Sequence, residues 1–280
     1  MNELPAAVSL SIGEGGLPTV EISSAKAQAT VYLYGANVTS WIPTGHDPVL
    51  WLSPDSVFTK GQPIRGGIPV CLPWFSKGPG GDKEPMHGTA RLSMWELADA
   101  TESDGVITLV LHLDDDGWSA TYTITVGEGL GLELTTTNNG DDHMVVEEAF
   151  HTYFDVQDVA GIRVVGLDGA SYLDKVAGGT ATQEGDLVLV DRTDRVYDSA
   201  ADVEIVDPGR NRTIAIAKTN SANTVVWNPW AETVKGLSDV PDDAWPGFVC
   251  VETANVNESA TLVAPGDSHT VATTYSVSLG

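Results

Sequence analysis

Two apolar stretches of this chain each hold one residue able to move a proton. In "FVCVETANV" (248–256), strand alternation puts Phe248, Cys250, Glu252 and Ala254 on one side and Val249, Val251 and Thr253 on the other. Glu252 is thus an acid among apolar neighbours. In "EEAFHTYFDV" (147–156), Phe150, Phe154 and Val156 share one face, and His151, Tyr153 and Asp155 the other. A carboxyl in a partly apolar pocket titrates closer to neutrality than usual, and an imidazole does so unaided, so the two make a general base and a general acid if the fold joins them. Each also has a plainer reading. A lone histidine on a strand is more often hydrogen-bonded or solvated than catalytic, and Glu252 could simply pair with Arg65 or Arg91.

Further candidates cluster between them and the N-terminus. "IRGGIPVCLPWF" (64–75) joins a charge, Arg65, and a flat apolar face, Trp74, to paired glycines that allow close backbone approach and to prolines that stiffen the path. "MHGTAR" (86–91) sets His87 and Arg91 around a glycine. Residues 65–91 hold Arg65, Lys77, Lys83 and Arg91 against only Asp82 and Glu84, a positive island in a chain of net charge −25. An anionic ligand would account for it. Trp227 and Trp230 in "VVWNPWAE" read as core or cleft wall.

The 280 residues include 39 acidic and 14 basic ones, a balance that repels nucleic acid and anionic membrane alike. It suggests a heavily hydrated, halophile-type surface, and on that reading the melting temperature should rise in molar salt; a thermal scan showing no rise would count against it. No basic segment followed by an apolar one opens the chain, and no apolar run is long enough to span a bilayer, so a soluble, cytoplasmic protein is expected. Cys71 and Cys250 are too few for a disulfide framework and read as reduced, buried thiols.

These residues must be positioned by strands. "ATVYLYG", "GVITLVLHL", "SATYTITVG", "GLELTTTN", "RTIAIAK" and "NTVVWN" are short β-branched or alternating runs, separated by turn signals such as "NNGDD" and "GEGLG". Short helical turns are expected only near "SPDSVF" and "ADVEIV". The pattern is all-β, a large antiparallel β-sandwich, and with no linker or repeat to divide it, residues 1–280 read as one domain. "SKGPGGDKEP" (76–85) reads as a mobile loop within it.

"RGGIPVCLPWF", "HGTAR", "EEAFHTYF", "TDRVY" (193–197), "VVWNPW", "VPDD" (240–243) and "FVCVETANV" come in the order and approximate spacing of the hexose-6-phosphate mutarotases. The chain resembles this glucose-6-phosphate 1-epimerase branch of the aldose 1-epimerase superfamily from about residue 20 to about 275. The resemblance implies a galactose-mutarotase-like sandwich (supersandwich) that interconverts the α and β anomers of a phosphorylated aldohexose, with glucose 6-phosphate as the leading substrate. It implies His151 as acid and Glu252 as base, with Arg65, Arg91 and His87 as substrate contacts. Asp194 joins them, with Asp191 as its competitor should the loop be shifted. Met86 stands where many members have glutamine, and Thr89 where they often have an aromatic residue, which leaves sugar selectivity open.

On this reading no cofactor, metal or covalent nucleophile is required, the partner is a small sugar phosphate, and a monomer is the default. Arg65 and Arg91 are the expected anion contacts, with Lys77 or Lys83 as possible loop contributors. Three other readings stay open. They are a mutarotase for unphosphorylated sugars such as galactose, a non-catalytic carbohydrate-binding sandwich using Trp74, Trp227 and Trp230, and a metal site of His87, His151 and Glu252.

Overall fold

The computed structural model describes residues 3–280. The chain folds as an antiparallel β-sandwich built on two eight-stranded sheets, with a four-stranded sheet from the first strands (Val8–Ile12 to Asn37–Pro43) and one two-stranded pair. One large sheet runs in the order Arg163–Val165, Val203–Asp207, Arg212–Thr219, Ser268–Leu279, Gly129–Asn138, Trp118–Val126, Val106–Asp115, Glu96–Ser103. Its strands alternate as "WSATYTITV" predicts, every second side chain buried and those between half-exposed. That regularity is what an antiparallel sheet with one covered face requires.

The other large sheet breaks the rule. It runs Thr180–Thr182, Ser171–Asp174, Thr193–Asp198, Asn223–Asn228, Phe248–Asn255, Glu148–Phe150, Val70–Cys71, with Tyr153–Asp155 also paired to Phe248–Asn255. All eight residues of Phe248–Asn255 are buried. One face meets the first sheet: Phe150 stacks on Tyr122, Phe154 meets Tyr275 edge-on, and Thr253 Oγ1 donates to Thr273 Oγ1. The other face is roofed by loops, and it carries the candidate chemistry.

Two local expectations are corrected. "ADVEIV" is not helical: Val203–Asp207 is a strand hairpinned to Arg212–Thr219, and its buried Val203, Ile205 and Asp207 show the period of two that decides it. The stretch 53–58 forms a turn without a helix; Ser53 Oγ donates to the carbonyl of Asp239 and accepts from the backbone N–H of Asp55. Cys71 and Cys250 are free and buried. Among the described residues no helix is long and apolar enough to cross a membrane.

The paired glycines after Arg65 serve the protein's own backbone. Both have positive φ, and a Cβ at Gly66 would lie 2.6 Å from the Trp51 carbonyl oxygen, one at Gly67 2.5 Å from that of Val38. Only glycine lets this segment close against its neighbours.

Candidate active site

The register of three strands assembles the site. Phe150 pairs with Thr253 and Tyr153 with Cys250, so the interruption at 151–152 keeps step and sets His151 opposite Glu252. Directly opposed residues of an antiparallel pair share a face with Cβ atoms about 5 Å apart. Glu252 also pairs with Val225, which pairs with Val196, giving one row across the sheet. The adjacent row runs Tyr153, Cys250, Trp227, Asp194. The backbone N–H of Lys175 bonds to the carbonyl of Asp194 at 2.9 Å, continuing that row by one residue. Two neighbouring rows thus line up the polar groups on the roofed face.

Above them lies a cavity of about 300 Å³ lined by Arg65, Phe75, Ser76, Met86, His87, His151, Lys175, Asp194, Val225, Trp227, Leu237 and Glu252. His151 Nδ1 is 3.5 Å from Glu252 Oε1, and side-chain exposures of 10% and 1% put the pair at the cavity floor. Neither Nδ1 of His151 nor Oε2 of Glu252 has a hydrogen-bond partner within the protein. Buried polar atoms are normally satisfied, so two unsatisfied ones beside a cavity mark where a polar ligand docks.

The imidazole is held by rings on three sides. It lies parallel to Tyr153 at 4.9 Å between centroids and meets His87 and Trp227 edge-on. Tyr153 is fixed in turn: its hydroxyl accepts from Arg65 Nη1 at 3.0 Å, and Arg65 Nε donates to Asp239 Oδ2 at 3.0 Å. His87 Nδ1 accepts from the backbone N–H of Ser76, leaving Nε2–H as its donor. Behind His87, a Cβ at Gly88 would lie 2.0 Å from the carbonyl oxygen of Leu72, so the turn presenting His87 requires glycine there.

Burial dominates the electrostatics. It raises the Glu252 carboxyl well above the carboxylate range, with Asp194 adding to the rise and Lys175 and Arg91 opposing it. It lowers His151 to about 3, helped by the positive charges of Arg91 and Arg65. Burial thus disfavours the charged form of both side chains. Burial also lowers His87 well below its usual value and raises Asp194.

Arg65, Met86, His87, His151, Asp194 and Glu252 thus converge on one cavity. Asp191 is exposed and bonds its own neighbour, the backbone N–H of Arg192. Arg91 is not among the lining residues; its Nη2 donates to the Met86 carbonyl at 2.7 Å. Trp74 is also outside the lining; its Nε1–H donates to the Pro85 carbonyl at 2.9 Å, tying the base of the 76–85 loop. Lys77 pairs with Glu84 at 3.1 Å, and Lys83 lies over the Trp74 ring. The described residues contain no group of three or more His, Cys, Asp or Glu side chains placed to hold a metal ion.

The family described as aldose 1-epimerase matches residues 18–276 of this chain. The chain belongs to the aldose 1-epimerase family. It is similar to an Escherichia coli K12 protein provisionally named glucose-6-phosphate 1-epimerase, with 35% identity over 262 residues covering 90% of this chain and 88% of that one. A protein of the same provisional name from Cenchrus ciliaris is 33% identical over 274 residues, covering 90% and 82%. Among solved structures, a provisionally named mutarotase from Salmonella typhimurium superposes with a TM-score of 0.91 at 30% identity, over 100% of this chain and 96% of that one. A galactose mutarotase-like protein from Clostridium acetobutylicum shares the fold at a TM-score of 0.74 and 12% identity, over 98% of each chain. The activity class of this aldose 1-epimerase family member is that of a mutarotase-type isomerase.

Three residues in or around the candidate site escape sequence reasoning. Lys175 follows the strand Ser171–Asp174 in "LDKVAGG", which reads as a polar turn. Alternation puts Tyr153 on the His151 face, with nothing in the sequence to mark it as the ring that lies parallel to the imidazole. Asp239 lies in a loop far along the chain from the Arg65 it anchors. The usable signal for Lys175 was its rarity, one of only 14 basic residues in so acidic a chain.

Proposed function

We propose that this protein interconverts the α and β anomers of a hexose 6-phosphate, glucose 6-phosphate foremost, with Glu252 and His151 as the acid/base pair. The observation that carries the reading is their opposition across one strand register, at the floor of a sugar-sized cavity, with hydrogen-bonding atoms unspent. The provisional names of the relatives point to the same substrate.

Ring opening removes a proton from O1 and delivers one to O5 as the C1–O5 bond breaks. A proton passing from Glu252 to His151 across their 3.5 Å gap readies both groups: a carboxylate to take the O1 proton and an imidazolium to give one to O5. Opening leaves a neutral carboxyl and a neutral imidazole, the state burial favours. The pair is uncharged at rest, charged only when poised to react and uncharged again after opening, so the low-polarity floor leaves neither opening nor closure with a lasting charge to carry. Rotation about C1–C2 presents the other face of the aldehyde, and closure by the same two groups in reverse yields the other anomer. Asp194, His87 and Arg65 surround the ring, where their donors and acceptors can engage its hydroxyls. No step calls for a redox partner.

Magnetisation-transfer NMR on glucose 6-phosphate, with and without protein, tests the reading in low and in molar salt. Faster exchange between the anomer signals is expected. Binding of the sugar phosphate by folded protein without faster exchange would replace the catalyst with a binding module, and faster exchange of glucose alone would move the substrate to unphosphorylated sugars.

A further inference from the structure

The cations of the site are committed to different degrees. Arg65 lines the cavity, but Nε is paired with Asp239 and Nη1 with the Tyr153 hydroxyl. Arg91 is outside the lining and spends Nη2 on the Met86 carbonyl, though its buried Nε has no hydrogen-bond partner within the protein. Lys77 and Lys83 lie on the outer loop, one paired with Glu84 and the other over Trp74. Among the described residues, Lys175 is the lining cation with neither an ion pair nor a side-chain hydrogen bond, and its ammonium rests over the Phe75 ring at 5.0 Å from the centroid. Its row neighbour Asp194 leaves it unpaired.

Substrate geometry gives that ammonium a task. C1, O1 and O5 must reach the buried floor at Glu252 and His151, whereas the phosphate sits on C6, one carbon beyond the ring. A dianion cannot be buried without matching cations, so it belongs toward the mouth. Lys175 is exposed at that mouth and also lines the interior. A contact over an aromatic face is weak at an exposed site, so an anionic oxygen can draw the ammonium away from Phe75. We propose that Lys175 reads the 6-phosphate and so sets the preference of this site for phosphorylated over free sugar. The inference rests on the anomer-interconversion reading above, and it places the phosphate contact on a lysine that the sequence motifs do not mark.

The test compares kcat/KM for glucose 6-phosphate and for glucose, by NMR exchange, in the wild type, Lys175→Gln and Lys175→Arg. Calorimetric titration of each protein with glucose 6-phosphate and with inorganic phosphate runs alongside. The ratio of the two kcat/KM values is expected to fall about 10- to 100-fold in Lys175→Gln, the scale of a lost charge-assisted hydrogen bond. Lys175→Arg should retain most of the ratio, and phosphate affinity should fall in parallel with it. An unchanged ratio overturns the proposal. So does an equal loss on both sugars, which would mean that Lys175 acts through the charge on Glu252. Should the wild type accelerate neither sugar, the anomerisation reading fails by itself. Calorimetry then decides Lys175 separately: weaker sugar-phosphate binding in Lys175→Gln supports the contact, and unaltered binding removes it.

Discussion

Glu252→Gln is expected to slow α/β exchange of glucose 6-phosphate at least about 100-fold, the lower end of what a positioned acid or base contributes, while making the protein more stable above neutral pH. The first half follows because an amide cannot take the O1 proton. The second follows from burial. The folded-state pKa of Glu252 is raised above its unfolded value, so its contribution to stability is fully present below the unfolded value and is lost as pH rises through the folded one. Glutamine copies the protonated carboxyl in shape and removes that loss. Each kcal/mol recovered raises the melting temperature by roughly 2–4 °C in a domain of this class. Paired thermal scans at pH 6 and pH 9 with exchange rates would show it: the wild type falls behind the variant at pH 9. A rate within tenfold of wild type would remove Glu252 from the mechanism, and equal melting curves at both pH values would mean that its carboxyl is not held protonated by the fold. A substitution that stabilises and inactivates together is the signature of a site maintained at a cost in stability.

His151→Ala should likewise lose at least about 100-fold, and the wild-type pH profile should explain why this imidazole is unusual. With pKa lowered to about 3, His151 does not take up a second proton in the range where a solvated imidazole would. Its sign is opposite to that of Glu252. Its contribution to stability is present above the unfolded value near 6.5 and is lost as pH falls toward 3, because the unfolded chain binds the proton first. The profile of kcat/KM, which reports the free enzyme, is therefore expected to stay flat from pH 7.5 down through 6 and to fall only in more acid solution. Glucose is the substrate to use for the profile, since a phosphate monoester itself titrates near pH 6. Circular dichroism at each pH separates loss of fold from loss of catalysis. A half-maximal point near 6.5 would show an imidazole titrating as if solvated, and full activity in the alanine variant would leave Glu252 to act without it.

Much of this was legible in the chain because strands announce their faces. Alternation alone put Glu252 with Phe248 and Cys250, and His151 with Tyr153, on faces that the structure shows turned toward one cavity. Which residue stands opposite which was not legible. Register between strands far apart in sequence depends on pairing partners that no local window contains, so the opposition of His151 and Glu252 could only be implied by family motifs. Trp74 shows the converse limit. Its type and position suit sugar stacking, yet its indole N–H is spent on the Pro85 carbonyl, a contact set by how the 76–85 loop returns. At "ADVEIV", where a short helical turn is expected, the alternation of Val203 and Ile205 matches the strand that forms.

The proposed acid/base pair and the other residues that line the cavity belong to parts of the molecule with unequal tolerance for change. Glu252 lies in the strand Phe248–Asn255, and His151 between two short strands that both pair with it in one register; inserting or deleting one residue there would turn the side chain to the far face. His87, Met86, Arg65 and Leu237 come instead from turns and loops, where length and sequence vary at little cost to folding. Divergence within such a scaffold should therefore keep the proton transfers and exchange the sugar. Descendants of one ancestor could then differ in what they anomerise while sharing how they do it.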